Sequence, residues 1–177
     1  MIYQTIRALA EWMEDPDTGP NHYLPDVERE SDDAQLDVPL IKVVLHPFRD
    51  AAAFGNTEPG RYPALIVSPA GAAGTEGEVN VGELNGDEFP VQLRLVVAEI
   101  KTPKALRVLA YQGEAINRAV SGFFADSDAA SAARQRRGVQ MITCAGRSYG
   151  LAFEDIGTAK CGFILLITVT TRDTEAS

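Results

Sequence analysis

Histidine and cysteine are nearly missing from this 177-residue chain, which has two of each. His22 lies in an acidic stretch and His46 abuts Pro47, and neither has a cysteine or second histidine at ligand spacing. That pattern does not build a zinc site. Cys144 and Cys161 fall in separate strand-like runs, and the N-terminus, MIYQTIRALAEWMEDPD, turns acidic where a signal peptide needs a small-residue cleavage site. Two reduced, buried thiols in an unexported chain are therefore expected rather than a disulfide. Long apolar runs are missing too: stretches such as Phe163 to Ile167 are far too short to span a bilayer, so no membrane partner is expected.

Signatures of chemistry are equally scarce. GAAGTEG, at residues 71 to 77, lacks the Lys-Ser/Thr ending of a phosphate loop and leads toward a strand rather than a helix. EDPDTGP, at residues 14 to 20, lacks the third ligand position, the glycine register and the distal glutamate of a calcium loop. No GxSxG elbow is present, and Cys144 is followed by Ala-Gly-Arg in an apparent turn. Glu99 is the best-placed acid, at an otherwise apolar strand end; pairing with Lys101 or a helix terminus suits it better than acid–base work. The residues point away from an enzyme, and no cofactor or metal is expected.

Basic charge is sparse in the first 37 residues, which hold ten acids against Arg7 and Arg29. The rest of the chain is nearly balanced, so the net charge of −9 belongs mostly to the N-terminal fifth. Such a chain does not attract phosphate backbones globally. Its acidic segment reads either as solvated loop or as an anionic surface that meets a basic partner or repels passing nucleic acid.

Hydrophobic residues make up 45% of the chain, ordinary for one globular domain of this length. Ile2, Ile6, Leu9 and Met13 recur at helical spacing and predict an N-terminal helix over 1–14, ended by Asp15-Pro16. Residues 15–37, rich in Pro, Asp, Glu and Ser, read as an extended acidic loop or arm. Val38 to Leu45 is a strand candidate, and Tyr62 to Val67 a second, starting at Pro63 or lying at an edge. Asn85-Gly86 is a strong turn signal and predicts a projecting hairpin near 76–95. Its returning strand places Phe89, Val91, Leu93, Leu95 and Val97 on one face, opposite Gln92 and Arg94.

Thr102 is a good N-cap and Pro103 a favoured first helical residue. The helix they open is expected to bury Leu106, Leu109, Ile116, Val120 and Phe123, and Gly113 within it marks a close approach to the sheet or to another subunit. ADSDAASAARQRRG then reads as a polar connector. Its cluster of Arg134, Arg136 and Arg137 is expected to pair with an acidic neighbour, such as the arm of an adjacent copy, more readily than with nucleic acid. Val139 to Cys144 and Arg147 to Phe153 read as a hairpin about Ala145-Gly146, and Gly162 to Thr171 as a closing strand. The fold expected is α+β in one domain over 1–177: a mostly antiparallel sheet over 38–172, with an N-terminal helix and one long central helix packed on it, a projecting β-hairpin and extended loops.

The order of these elements resembles the tail terminator or tail completion proteins of tailed bacteriophages. The likeness rests on IRALAEWM, then RYPALIVSP, then VVAEIKTPKALRVLAYQGEAINRAV, a hairpin, and GFILLITVTTRD. It spans roughly residues 1 to 12 and 60 to 172, while the acidic segment and the glycine-rich stretch at 71–88 lie outside it. The resemblance implies a virion protein assembled in the host cytoplasm as a ring, usually of six copies, that caps the tail tube and stops its growth. Its implied partners are itself, the tail tube protein and a head-side connector or adaptor, with DNA passing through the lumen without specific binding. Gly113, Arg134, Arg136, Arg137, Asn85 and Gly86 are the interface candidates. Two alternatives stay open: another neck component, or a small enzyme or ligand-binding domain whose site forms only in the fold.

Overall fold

The computed structural model describes residues 2–31, 36–50, 62–70, 88–97, 103–139, 142–156 and 159–171. The elements run α1 (Ile2–Glu14), α2 (Pro20–Glu30), β1 (Val43–Leu45), α3 (Pro47–Asp50), β2 (Ala64–Pro69), β3 (Glu88–Val97), α4 (Pro103–Phe123), α5 (Asp128–Gln135), β4 (Ile142–Ile156) and β5 (Ala159–Thr171). Among the described residues, five strands form one sheet in the order β1-β2-β3-β5-β4. Only β1 and β2 are parallel; every other pair is antiparallel. This is the α+β architecture expected, with the long central helix on the sheet.

Alternation builds the main core. Phe89, Val91, Leu93 and Leu95 of β3 and Phe163, Leu165, Ile167 and Val169 of β5 turn one face inward. Ile6 and Leu9 of α1, with Leu109, Ile116, Val120 and Phe123 of α4, cover it. Trp12 stacks edge-on against Phe123, and its indole N–H donates to the Ala119 carbonyl at 2.9 Å. That bond satisfies a polar atom that burial would otherwise leave costly. Leu106 departs from the expected stripe: it is 36% exposed.

The close approach marked by Gly113 is to the sheet. A β-carbon there would lie 2.5 Å from the Phe163 ring, and Gly162 of β5 is likewise pressed against Leu109. Two glycines, one on each element, thus let α4 and β5 interlock. Gly113 is buried inside the subunit, which removes it from the candidate interface.

The acidic segment is not an extended arm. Pro20 takes the first turn of α2, where its missing N–H costs nothing, and Leu24 and Val27 bury against Ala115 of α4. Arg118 of α4 binds Glu30 at 2.5 Å and Glu114 at 3.0 Å, tying the two helices at the surface. The predicted strand over Val38 to Leu45 shrinks to Val43–Leu45 because side chains occupy the backbone before it. Asn21 exchanges two hydrogen bonds with Ile41, Gln112 donates to the Pro39 carbonyl and Glu28 accepts from Val38 N.

Two further expectations change. The polar connector contains α5, opened by Ser127, whose hydroxyl accepts from Ala130 N at 3.2 Å. Ala145-Gly146 is no hairpin turn; β4 runs straight through it, with the register slipping between Cys144 and Gly146 as at a β-bulge. Thr102, Glu99, Lys101 and the hairpin signal Asn85-Gly86 lie outside the described residues.

Candidate assembly surface

The two edges of the sheet are unlike. β1 has three residues and stops at His46-Pro47, so it offers little backbone to pair with. β4 has fifteen and, among the described residues, no strand on its outer side. Register slips lie between Cys144 and Gly146 and between Leu151 and Glu154. The stretch between them, Gly146 to Leu151, keeps a regular ladder with β5, and every one of its residues is exposed. Bulges blunt a sheet edge, so the regular stretch between these two is the part left able to pair.

The apolar side chains beside this edge continue the core into solvent. Tyr149 pairs with Leu165 and Leu151 with Phe163, which puts both on the helix-covered face. α4 does not reach far enough to cover them: Tyr149 is 60% exposed and Leu151 45%. Tyr149 meets the Phe163 ring at 6.3 Å. Arg147, next along the same face, donates to Asn117 Oδ1 at 3.1 Å and Ser121 Oγ at 2.7 Å, fixing β4 to the flank of α4. Tyr149 and Leu151 thus form an apolar margin beside the free edge. Sequence reading missed it. Its signal was the alternation in RSYGL, which gives a face but not whether anything covers that face.

The arginine cluster resolves into separate intramolecular roles. Arg134 turns back to the end of α4 and donates to the Phe123 and Ala125 carbonyls, which lack helical partners. Partial burial there pulls its pKa down. Arg137 forms a two-pronged pair with Glu11 of α1, closing α5 onto the N-terminal helix. Arg136 alone is exposed. Within the subunit, Arg134 and Arg137 are engaged by its own carbonyls and carboxylate.

Arg137 beside Glu11 holds the Glu11 carboxyl below the usual carboxylate range, chiefly through their hydrogen bonds, and Arg137 is raised in turn. A lowered native pKa means stabilisation that is full above the ordinary value of 4.5 and is lost as pH falls through the lowered one. Glu11→Gln is therefore expected to melt slightly below the parent at neutral pH, the effect being small because both side chains are over a third exposed. Melting curves of the two proteins between about pH 7 and about pH 3 should converge at the acid end. A constant offset would show that the carboxylate charge is not what Arg137 holds.

Among the described residues, no group of three or more His, Cys, Asp or Glu could hold a metal ion, and no helix is long and apolar enough to cross a membrane. No protein-family model matches the chain, and no curated protein matches it.

Proposed function

We propose that this chain is a structural subunit of a phage neck, of the tail terminator kind, that closes into a ring on the end of a tail tube. The ring stops tube polymerisation and presents a docking surface to the head-side connector or adaptor. The observation that carries this reading is the exposed regular stretch of β4, Gly146 to Leu151, with Tyr149 and Leu151 beside it. A ring needs a heterologous interface, in which one patch of each copy meets a different patch of the next. A long edge at one side of the sheet and a three-residue edge at the other give the subunit the required asymmetry.

Charge supports the same reading. Acids concentrate in the N-terminal fifth, and part of that segment is the surface helix α2. A ring lined in this way would let DNA pass without holding it. The mechanism is binding geometry, with no catalytic step.

Electron microscopy of the purified protein, alone and mixed with tail tubes, tests the proposal. Rings seated on tube ends are the expected result. Monomers that never cap a tube would overturn it. Rings that ignore tubes and bind a connector would move the assignment to another neck component.

A further inference from the structure

A second pair of exposed hydrophobic side chains, Tyr3 and Phe48, lies at the β1 side of the sheet. Tyr3 is in the first turn of α1, and Phe48 is in α3, which follows β1 directly. Their rings meet edge to face with centroids 4.5 Å apart, and they remain 41% and 44% exposed. Arg7, one turn further along α1, lies over the Tyr3 ring at 5.5 Å and donates to its hydroxyl at 3.2 Å. Neither ring belongs to the core, which α1 fills with Ile6 and Leu9. Aromatic rings and arginine gathered on a surface are what protein interfaces are enriched in.

This pair is placed to match the Tyr149 and Leu151 margin. β1 and β4 are the two edges of the sheet, four strand-to-strand steps or about 19 Å apart. Tyr149 and Leu151 lie on the helix-covered face, and Tyr3 belongs to a helix of that same layer. A head-to-tail contact needs two different patches on opposite sides of one subunit, and these are such patches. A margin that met its own copy would instead close a two-fold dimer and leave the Tyr3 and Phe48 pair in water.

Polar chemistry agrees with the apolar match. Arg7 forms no ion pair among the described residues, and most of its guanidinium N–H groups are unused. The exposed Tyr149 hydroxyl can accept one of them. The sequence of β4 runs on from Leu151 to two acids, Glu154 and Asp155, opposite in charge to Arg7. We propose that the Tyr149 and Leu151 margin of one copy docks on the Tyr3 and Phe48 pair of the next, with the neighbour's Arg7 donating to the Tyr149 hydroxyl and lying beside the acidic end of β4. This names the second patch that the ring requires, and it rests on the assembly reading for its head-to-tail order.

The test is sedimentation equilibrium of two full-length double variants, alone and mixed. Tyr3→Asp with Phe48→Asp removes one patch, and Tyr149→Asp with Leu151→Asp removes the other. Tyr3 lies in the first turn of α1, where an acid suits the helix, so the first variant should melt near the parent. Each variant alone should associate at least about 100-fold more weakly than the parent. An equimolar mixture keeps one intact patch of each kind, so it should form a heterodimer that grows no further, with about the parent's affinity. Arg7→Glu leaves both rings in place and should weaken association about tenfold; unchanged affinity would overturn the contact even if the aspartate variant misfolds. It is also overturned if the Tyr3 and Phe48 variant associates as the parent does, if the mixture stays as monomeric as its components, or if the parent is monomeric to about 0.5 mM. Head-to-tail association without capping of tail tubes would leave this contact standing and remove the terminator reading. Tubes capped by the Tyr3 and Phe48 variant would do the reverse.

Discussion

Gly113→Val is expected to destabilise the subunit by about 1–3 kcal/mol. A β-carbon at this position would sit 2.5 Å from Phe163 Cε2 and 2.6 Å from Cδ2, well inside contact distance. The ring has little room to retreat, because Phe163 is 4% exposed and the adjoining Gly162 is already pressed against Leu109. Alanine is a weaker test, since it recovers about 1 kcal/mol of helix propensity relative to glycine. Valine recovers less, because β-branching loses rotamer freedom in a helix, and it adds two methyl groups at the clash. Phe163→Leu in the same chain should restore part of the loss, as the smaller side chain vacates the contact. Urea unfolding of the two single variants and the pair measures this coupling; a Gly113→Val protein as stable as the parent would refute the interlock of α4 and β5.

Tyr149→Asp combined with Leu151→Asp carries the second large effect, on assembly rather than stability. Both positions are exposed, so the subunit's own stability should change by no more than about 0.5 kcal/mol per site. In the proposed ring these side chains would be buried at the interface, and two carboxylates there should weaken association at least about 100-fold. Sedimentation of the protein and its capping of tail tubes, read beside its melting temperature, separate the two outcomes. Leu40→Asp is a control of equal chemistry, being 58% exposed in the chain leading to β1. Assembly that survives the double change would remove the β4 margin from the interface, and equal loss from the control would mean that added charge alone is responsible.

The legible parts of the fold are those where one period runs long enough to dominate. α4 has an apolar stripe opened by Pro103, and β5 has a run of β-branched and aliphatic residues; both appear where their patterns place them. α2 was obscured by its composition, because Pro25 removes one helical hydrogen bond and acids surround a short stripe of Tyr23, Leu24 and Val27. α5 buries a single residue, Ala130, so it has almost no stripe to read; the Ser127 cap was its usable signal. Ala145-Gly146 has turn chemistry, yet pairing with β5 on both sides carries β4 through it as a bulge. The assembly margin is less legible still. That β5 lies between β3 and β4, leaving β4 at the edge, is a matter of strand order that no local pattern encodes.

The segment from Val38 to Ile41 has a consequence for how the subunit can loosen. Its backbone is held by Asn21 and Glu28 of α2 and by Gln112 of α4, not by a neighbouring strand. Three side chains from two helices thus do the work of a ladder, and two of them leave together if α2 detaches. α2 and this segment therefore form a cooperative unit that can open without unravelling the sheet. The Gln112–Pro39 hydrogen bond lies at the boundary of that unit. Opening of the outer layer is in this way a local event that leaves the strands paired.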